Sequence, residues 1–198
     1  MAVVYILNAN NLSTDLSLYD NIDKNRLEKI KKSSNNLFKK EQLGSSILLN
    51  DILENYFFMD TTKVEYIYNE FGKPYIKDSN LYFSLSHSNG VIALAVSKEE
   101  IGLDIELIKD VKDNLAHKVM NEAEYNIYKG LSKTDKISYF YEVWTSKEAY
   151  VKKLGSALTL NPSNINISNS QYMIALTDAT YITIDERYIP KELLERKK

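Results

Sequence analysis

The sequence predicts an α+β protein made of two halves, residues 1–97 and 98–198, which meet near residues 97–103. Two observations lead to this prediction. Strand-like patterns, alternating or rich in β-branched residues, occur at both ends and in the middle of the chain. One long helical pattern lies in each half, so each half can pack a helix against a small sheet. The halves show no repeat of each other in sequence.

The first half opens with an apolar strand at residues 2–7 and continues with a polar, strongly basic stretch at residues 20–40. A helix follows, in which apolar side chains recur at 3.6-residue spacing: Leu48, Leu49, Ile52, Leu53 and Tyr56. Residues 64–68 alternate and predict a strand. Residues 81–86 and 91–96 predict two more strands, joined by a hairpin because an Asn-Gly pair between them strongly favours one.

The second half begins with a predicted strand at residues 101–108. Two helices follow, a short one at residues 121–130 and a long one at residues 135–154, which Gly155 ends as a C-cap. Six residues form the predicted inner face of the long helix: Phe140, Val143, Trp144, Tyr150, Val151 and Leu154. Residues 164–188 alternate again and predict two or three final strands.

The composition is that of an ordinary globular protein, with 44% hydrophobic and 26% charged residues and a formal net charge of -2. Such a charge gives no indication of nucleic-acid binding. The chain has no cysteine, which excludes disulfides, thiolate zinc sites and cysteine nucleophiles. The apolar run at residues 1–8 is too short for a signal peptide or a membrane span. We therefore expect a cytoplasmic protein, monomeric because it has two halves of its own, that binds neither nucleic acid nor membrane.

Three acidic residues are the main candidates for chemistry. Asp104 and Glu106 stand two positions apart on a predicted strand, so both side chains leave the same face. Gly102, just before them, would let another backbone or a ligand approach closely. Glu148 lies on the long helix, with Lys152 one turn later. Carboxylates from two elements can hold Mg²⁺ while water and substrate phosphate complete its coordination, and nearby lysines can neutralise the phosphate.

Each of these features also has an ordinary structural explanation. Acids that alternate with apolar residues are usually the solvent face of a strand. A glutamate and a lysine four residues apart on a helix are usually a surface ion pair. His87 can be a satisfied turn residue, Trp144 can be a core residue, and the basic stretch can be a solvated helix face. Spacing alone leaves both explanations open.

Four ordered motifs resemble those of the 4'-phosphopantetheinyl transferases. Residues 102–106 read Gly-Leu-Asp-Ile-Glu and residues 144–152 read Trp-Thr-Ser-Lys-Glu-Ala-Tyr-Val-Lys, similar to the two-part signature of this family. Upstream, residues 71–74 read Phe-Gly-Lys-Pro and residues 83–88 read Phe-Ser-Leu-Ser-His-Ser. The resemblance is strong over residues 70–155 and is to the long, pseudo-dimeric branch typified by the surfactin-synthetase activator. It implies two similar α+β halves in a pseudo-twofold arrangement.

The resemblance implies an Mg²⁺-dependent enzyme that moves the 4'-phosphopantetheine arm of coenzyme A to a serine of an acyl or peptidyl carrier protein and releases 3',5'-ADP. Asp104, Glu106 and Glu148 would hold the Mg²⁺. Glu148, or a water that it positions, would take the serine proton, and Asp104 and Lys152 would also be catalytic. The implied contacts to coenzyme A come from Lys40, Glu41, Lys73, Ser86, His87, Lys147 and Lys152.

Some residues depart from the family pattern or extend it. Thr145 stands where the family has a serine and keeps the hydroxyl. Val119 and Met120 stand where relatives have an aromatic pair that grips the carrier protein, and we expect them to offer an apolar contact instead. Glu124 is a second candidate for positioning the base, although a solvated glutamate on a short surface helix explains it as well. Further candidates for coenzyme A contacts are Lys24, Arg26 and Lys29.

Two other functions stay open on the sequence alone. The first is a binding module for coenzyme A or a nucleotide that lacks catalysis, although the intact acids and Lys152 argue against it. The second is a metal-dependent hydrolase of pyrophosphates, which a cluster of carboxylates alone allows.

Overall fold

The computed structural model describes residues 2–156, 162–164, 173–176 and 182–183 and mixes helices with strands, as predicted for an α+β fold. Its helices are α1 (Lys24–Lys32), α2 (Asn36–Phe57), α3 (Asp113–Val119), α4 (Glu122–Gly130) and α5 (Lys133–Leu154). Its strands are β1 (Val3–Asn8), β2 (Tyr66–Tyr68), β3 (Pro74–Ile76), β4 (Tyr82–Ser88), β5 (Val91–Ser97), β6 (Gly102–Ile105), β7 (Met173–Leu176) and β8 (Ile182–Thr183). None of the helices in the described part of the chain is both long and apolar enough to cross a bilayer.

Four strands form the main sheet, in the order β4-β5-β1-β8. β5 pairs antiparallel with β4 and β1, whereas β8 runs parallel to β1. Asn89 and Gly90 turn the β4–β5 hairpin with φ of 52° and 81°, the left-handed backbone that such a two-residue turn needs. The predicted hairpin is confirmed. β8 belongs by sequence to the predicted second half but joins the sheet of the first, and the division at residue 97 stays a prediction.

Helix α2 packs against one face of the main sheet. Four residues of its predicted stripe are buried: Leu48, Leu49, Ile52 and Leu53. They share a core with side chains of β1 and β5 such as Leu7 and Leu94. The prediction is wrong for Tyr56, which is 58% exposed. It lies in the last turn of the helix, where its ring meets the ring of Tyr5 at 5.5 Å.

Strand β6 packs against the opposite face of the main sheet. Its Leu103 and Ile105 share a second core with Ile6, Ala93 and Ala95. The two alanines are small, so a strand can lie close to the sheet there. β6 itself pairs in parallel with β7, over Gly102–Ile105 only. The strand is shorter than the predicted 101–108, because after Ile105 the backbone amide of Leu107 bonds to a serine side chain, Ser88, and not to a strand backbone.

Helix α5 packs directly on β6 through a glycine. A Cβ added at Gly102 would lie 1.8 Å from the carbonyl oxygen of Ala149 and 2.4 Å from the backbone nitrogen of Lys153. Only a residue without a side chain lets the two backbones approach this closely. The prediction that Gly102 admits a neighbouring backbone is confirmed, and it places Asp104 and Glu148 on touching elements.

The inner face of α5 differs from the predicted stripe. Phe140 and Val143 are buried beside α3 and α4, but Leu154 is 50% exposed and Trp144 is half-buried. The reason is that the helix has two partners. Its first part faces α3 and α4, and its second part faces β6 through the small Ala149.

From the sequence, helix α1 is expected only as a solvated helix face of the basic stretch, and α3 has no counterpart in the sequence-based prediction. α1 lies within the basic stretch and begins where the side chain of Asp23 accepts a hydrogen bond from Arg26 N at 3.1 Å, a typical N-cap. α3 occupies residues 113–119. Of the strands predicted within residues 164–188, β7 and β8 are present, and the remainder of that prediction lies outside the described residues.

Candidate active site

Three serines on β4 hold β6 in place. They alternate along the strand, so their side chains share one face: Ser84, Ser86 and Ser88. We call these residues the serine row. Their hydroxyl oxygens accept hydrogen bonds from the backbone amides of Leu103, Ile105 and Leu107 at 3.0, 3.3 and 3.0 Å. Side-chain hydroxyls thus satisfy amides of β6 that a neighbouring strand would otherwise bind.

Asp104 lies between the serine row and α5. Its side chain is 3% exposed, and its Oδ1 accepts hydrogen bonds from Ser86 Oγ at 2.8 Å and from Lys152 Nζ at 2.6 Å. Lys152 Nζ also donates to Ser86 Oγ at 2.8 Å. The other carboxylate oxygen, Oδ2, is buried and has no hydrogen-bond partner among the described residues. A buried acceptor of this kind calls for an explanation, such as an ordered water, a bound ion or a catalytic role.

Glu148 and Glu106 belong to the same neighbourhood. Glu106 follows the end of β6, and its Oε2 accepts a hydrogen bond from Ser88 Oγ at 2.9 Å. Burial raises the pKa of the Glu148 carboxyl above its ordinary value, and the negative charges of Asp104 and Glu106 raise it further, against an opposing effect of Lys152. The structure therefore brings the three predicted acids of β6 and α5 within electrostatic reach of one another.

The donor types at this position fit a hard divalent cation. Mg²⁺ prefers carboxylate and water oxygens as ligands. Oδ2 of Asp104 is a buried carboxylate oxygen that has no hydrogen-bond partner among the described residues. No three acidic or histidine side chains in the described ranges already stand close enough together to hold an ion. Lys152 supplies the positive charge next to Asp104, so a divalent ion would have to share that carboxylate with the ammonium.

A cleft of about 430 Å³ opens beside these residues. Five cationic or titratable basic side chains line it: Arg26, Lys29, Lys73, His87 and Lys152. Glu148 and Asp23 are the acids of its wall. Positive charge around a concave surface favours a polyanionic ligand. Of the predicted site residues, Lys73, His87, Glu148 and Lys152 line this cleft.

The hydrogen bonds of His87 fix its tautomer. Gln42 Oε1 accepts from Arg26 Nη1 at 3.2 Å, so the amide nitrogen of Gln42 must donate to His87 Nε2, 3.0 Å away. The ring proton then lies on Nδ1, which is 2.9 Å from Glu41 Oε2. Burial lowers the pKa of His87; Glu41 opposes this effect, and the cations Lys152 and Arg26 add to it. In this tautomer the ring carries one proton, on Nδ1, and the residue lines the cleft.

Four of the seven predicted contacts to coenzyme A do not line the cleft: Lys40, Glu41, Ser86 and Lys147. Glu41 is buried, and its Oε1 accepts a hydrogen bond from Gly90 N at 2.8 Å. It braces the hairpin turn and orients His87 instead of facing the ligand. Lys40 Nζ donates to the carbonyl oxygen of Asn10 at 2.9 Å. Both residues lie on α2, and neither of their side chains lines the cleft.

Lys73 lines the cleft, but its charge already has partners. Its ammonium is 2.5 Å from Glu100 Oε2 and donates to the carbonyl oxygen of Lys153 at 2.8 Å. The side chain is 10% exposed. These bonds tie the turn at residues 71–74 to the end of α5. Lys73 therefore shapes the cleft and contributes little free positive charge.

The predicted contact of Lys147 with pyrophosphate is wrong. Its side chain is 1% exposed, and its Nζ donates to the carbonyl oxygen of Val119 at 2.9 Å and to Glu124 Oε2 at 2.5 Å. Glu124 also accepts from Asn121 N at 2.8 Å in the capping box of α4. Successive residues of a helix point in different directions, so Lys147 joins α3 and α4 to α5 while Glu148 faces the cleft. Glu124 is thereby a structural residue of the described fold and not a solvated one.

We expect Lys147→Met to lower the free energy of unfolding by about 3–5 kcal/mol, since breaking a buried ion pair leaves Glu124 and the Val119 carbonyl uncompensated. Urea unfolding measures this change. Lys133→Met, at an exposed position on the same helix, is the matched control and should shift the value by no more than about 0.5 kcal/mol. Equal losses in the two variants would show that the buried pair has no structural role.

The residues that depart from the family pattern are all buried in the structure. Thr145 is buried, and its hydroxyl donates to the carbonyl oxygen of Tyr141 at 2.7 Å within α5. Val119 and Met120 are buried in the core around α3 and α4. The expected apolar contact of these two residues with a carrier protein is therefore wrong, because their side chains face inward.

Several residues that line the cleft are not among the main sites that the sequence predicts. Arg26 and Lys29 are three positions apart on α1, so they share one face, and both line the cleft. Recognising α1 as a helix would have favoured them over Lys40. Gln42 and Tyr68 also line it. Nothing in the sequence indicates a role for Gln42 except its position beside Glu41. For Tyr68 the sequence predicts only a place in a strand.

Comparison with known proteins agrees with the motifs. The family model of the 4'-phosphopantetheinyl transferase superfamily matches residues 100–187, which include both signature segments. The 4'-phosphopantetheinyl transferase gsp of Aneurinibacillus migulanus is 32% identical over 103 residues, which are 52% of this chain and 43% of that protein. The 4'-phosphopantetheinyl transferase Sfp of Bacillus subtilis (strain 168) is 27% identical over 141 residues, 69% of this chain and 63% of that protein. The chain thus spans about half of the length of these relatives.

A further relative is covered more fully. The 4'-phosphopantetheinyl transferase AcpT of Salmonella typhimurium is 33% identical over 144 residues, which are 65% of this chain and 74% of that protein. This coverage, together with the family model and the grouping of Asp104, Glu106, Glu148 and Lys152 in one place, leads to a single conclusion. The chain belongs to the 4'-phosphopantetheinyl transferase superfamily.

Proposed function

We propose that this protein transfers the 4'-phosphopantetheine arm of coenzyme A to a serine of an acyl or peptidyl carrier protein and releases 3',5'-ADP. The observation that carries the proposal is the meeting of Asp104 from β6 with Lys152 and Glu148 from α5 beside a cationic cleft. Carboxylates next to cations at the end of a cleft suit the transfer of a phosphoryl-linked group, because positioning and charge compensation dominate that chemistry.

The cleft would bind coenzyme A by its negative charges. Arg26 and Lys29 on α1 and Lys152 on α5 line it from two sides, so phosphate groups placed between them would be neutralised from both. His87 would offer a neutral ring to the same ligand. We assign Ser86 an indirect part, since its hydroxyl is bonded to Lys152 and Asp104.

Asp104, Glu106 and Glu148 would hold Mg²⁺. When bound, Mg²⁺ would supply positive charge that offsets the negative charge of the pyrophosphate and of the leaving group. Lys152 would keep its bond to Asp104 and add a second positive charge on the same side. Without a cation, neighbouring carboxylates repel each other, in line with the raised pKa of Glu148.

Glu148 is the proposed base. It is the acid of α5 that lines the cleft, beside Lys152, so a serine hydroxyl placed in the cleft would lie within its reach. It would take the proton of the carrier serine, directly or through a water. The serine oxygen then bonds to the phosphorus that bears pantetheine, the bond from that phosphorus to the bridging oxygen breaks, and 3',5'-ADP leaves. Glu124 is a poor second candidate because Lys147 and the α4 cap already hold it.

Several wider features belong to the same proposal. The two halves would be related by a pseudo-twofold arrangement, which is supported by two 22-residue helices, α2 and α5, and by the parallel pairs β1–β8 and β6–β7. We propose a monomer, because two such halves can build the cleft within one chain. A chain without cysteine suits the reducing cytoplasm.

Mass spectrometry of a carrier protein tests the function. The protein is incubated with coenzyme A, Mg²⁺ and an apo-carrier protein, and the carrier should gain the mass of one phosphopantetheine group. Coenzyme A binding without a mass gain on any of several carriers would instead support a binding module. Release of 3',5'-ADP without a carrier would support a pyrophosphate hydrolase.

A further inference from the structure

Glu106 is the one of the three acids whose backbone lies outside a helix or strand. It lies one residue beyond the end of β6 at Ile105, so no strand pairing in the described residues fixes its backbone. Its side chain is half-buried and could turn to solvent, where a carboxylate is well hydrated. Something other than the strand must hold it toward Asp104 and Glu148.

Ser88, the last member of the serine row, makes the two bonds that this position needs. Its hydroxyl oxygen accepts a hydrogen bond from Leu107 N at 3.0 Å, and its hydroxyl hydrogen is donated to Glu106 Oε2 at 2.9 Å. A serine hydroxyl can accept and donate at once. Because an amide can only donate and a carboxylate only accepts, both bonds have a fixed direction. One side chain therefore fixes the backbone after Glu106 and the carboxylate itself.

The other members of the serine row provide an internal comparison. Ser84 accepts from Leu103 N at 3.0 Å, and it makes no described bond to an acid. Ser86 serves the buried Asp104, which Lys152 also holds. Only Ser88 combines a backbone bond with the sole described hydrogen bond to Glu106. A loss of Ser88 should therefore act on the Glu106 carboxylate and on the backbone at Leu107, whereas a loss of Ser84 should act only on the docking of β6.

We propose that Ser88 is a positioning residue that orients Glu106 toward the shared cation of the active site. The proposal rests on the proposed function, in which Glu106 is one of the three ligands. Hydrogen bonds to a ligating carboxylate restrict its orientation, and the loss of such a bond typically weakens metal binding about 10–100-fold.

Calorimetric titration with Mn²⁺ in the presence of coenzyme A tests the proposal without depending on turnover. We expect Ser88→Ala to weaken Mn²⁺ binding at least ~10-fold and Ser88→Thr, which keeps the hydroxyl, to restore most of it. Ser84→Ala is the matched control for the backbone bond. Because Ser84 lines the cleft, the titrations use saturating coenzyme A, and the Mn²⁺ affinity of this variant should stay within about twofold of the wild type. The Mg²⁺ concentration that gives half-maximal activity should rise for Ser88→Ala by the same factor.

The possible outcomes separate the inference from the function on which it rests. If the wild type modifies a carrier protein and Ser88→Ala binds Mn²⁺ as the wild type does, Ser88 does not position Glu106. If Ser84→Ala weakens Mn²⁺ binding as much as Ser88→Ala, the effect comes from general loosening of β6, and the inference is wrong. A wild type that modifies no carrier and binds no Mn²⁺ would overturn the function as well.

Discussion

Asp104→Asn is expected to lower turnover at least ~10²-fold while the fold persists. Asparagine keeps the shape of the side chain and can still accept the hydrogen bond from Ser86, now 2.8 Å from Asp104 Oδ1. It removes the negative charge that faces Lys152 at 2.6 Å and that would help to hold the divalent ion. Loss of a charged group from a metal-assisted site removes stabilisation that developing charge requires. Steady-state kinetics with coenzyme A and an apo-carrier protein measure the effect.

The control for this variant is Asp110→Asn. Asp110 is exposed and lies after β6, so the same chemical change there should leave turnover within about twofold of the wild type. Thermal unfolding should show both variants folded. Turnover of Asp104→Asn near the wild-type value would remove Asp104 from the mechanism.

Gly102→Ala is expected to damage both stability and activity. The added Cβ would lie 1.8 Å from the carbonyl oxygen of Ala149. A side-chain rotation cannot relieve this clash, because the Cβ is fixed by its own backbone and the oxygen is a backbone atom. α5 and β6 must move apart, at a cost of about 1–3 kcal/mol in the free energy of unfolding. The same movement separates Glu148 from Asp104, so turnover should fall at least ~10-fold, since small displacements of reacting groups can cost that much.

Gly130→Ala is the matched control for this change. Gly130 ends α4, and a Cβ there would meet no atom within 4 Å. Because alanine is the better helix former, stability should stay the same or rise by at most about 1 kcal/mol. The close-packing account of Gly102 would be refuted if the two variants unfolded at the same urea concentration with equal activity.

The fold could be predicted wherever one local pattern decides an element. The apolar stripe of α2 and the Asn89-Gly90 turn are such cases, because spacing and turn chemistry act within a few residues. The inner face of α5 could not be predicted in the same way. Its partners change along the helix from α3 and α4 to β6, and no local period encodes such a change.

The site shows the same limit at the level of single side chains. The motifs predicted Asp104, Glu106, Glu148 and Lys152 as one site; in the structure Lys152 bonds to Asp104, and the charges of Asp104 and Glu106 act on Glu148. They misassigned Lys147 because adjacent residues on a helix point in different directions, and only the position of Glu124 reveals which way Lys147 turns. The role of the serine row in holding β6 could not be predicted either, since the partners of these serines are backbone amides of residues 103–107.

The proposed function requires that β6 and α5 bring their acids to one shared cation. The most direct measurement is a crystal structure with coenzyme A and Mn²⁺, in which anomalous scattering locates the ion independently of the protein density. The proposed function predicts a single peak in direct contact with carboxylate oxygens of Asp104, Glu106 and Glu148 and with the pyrophosphate of coenzyme A. An ion bound elsewhere, or coenzyme A bound with its pyrophosphate away from these acids, would contradict it.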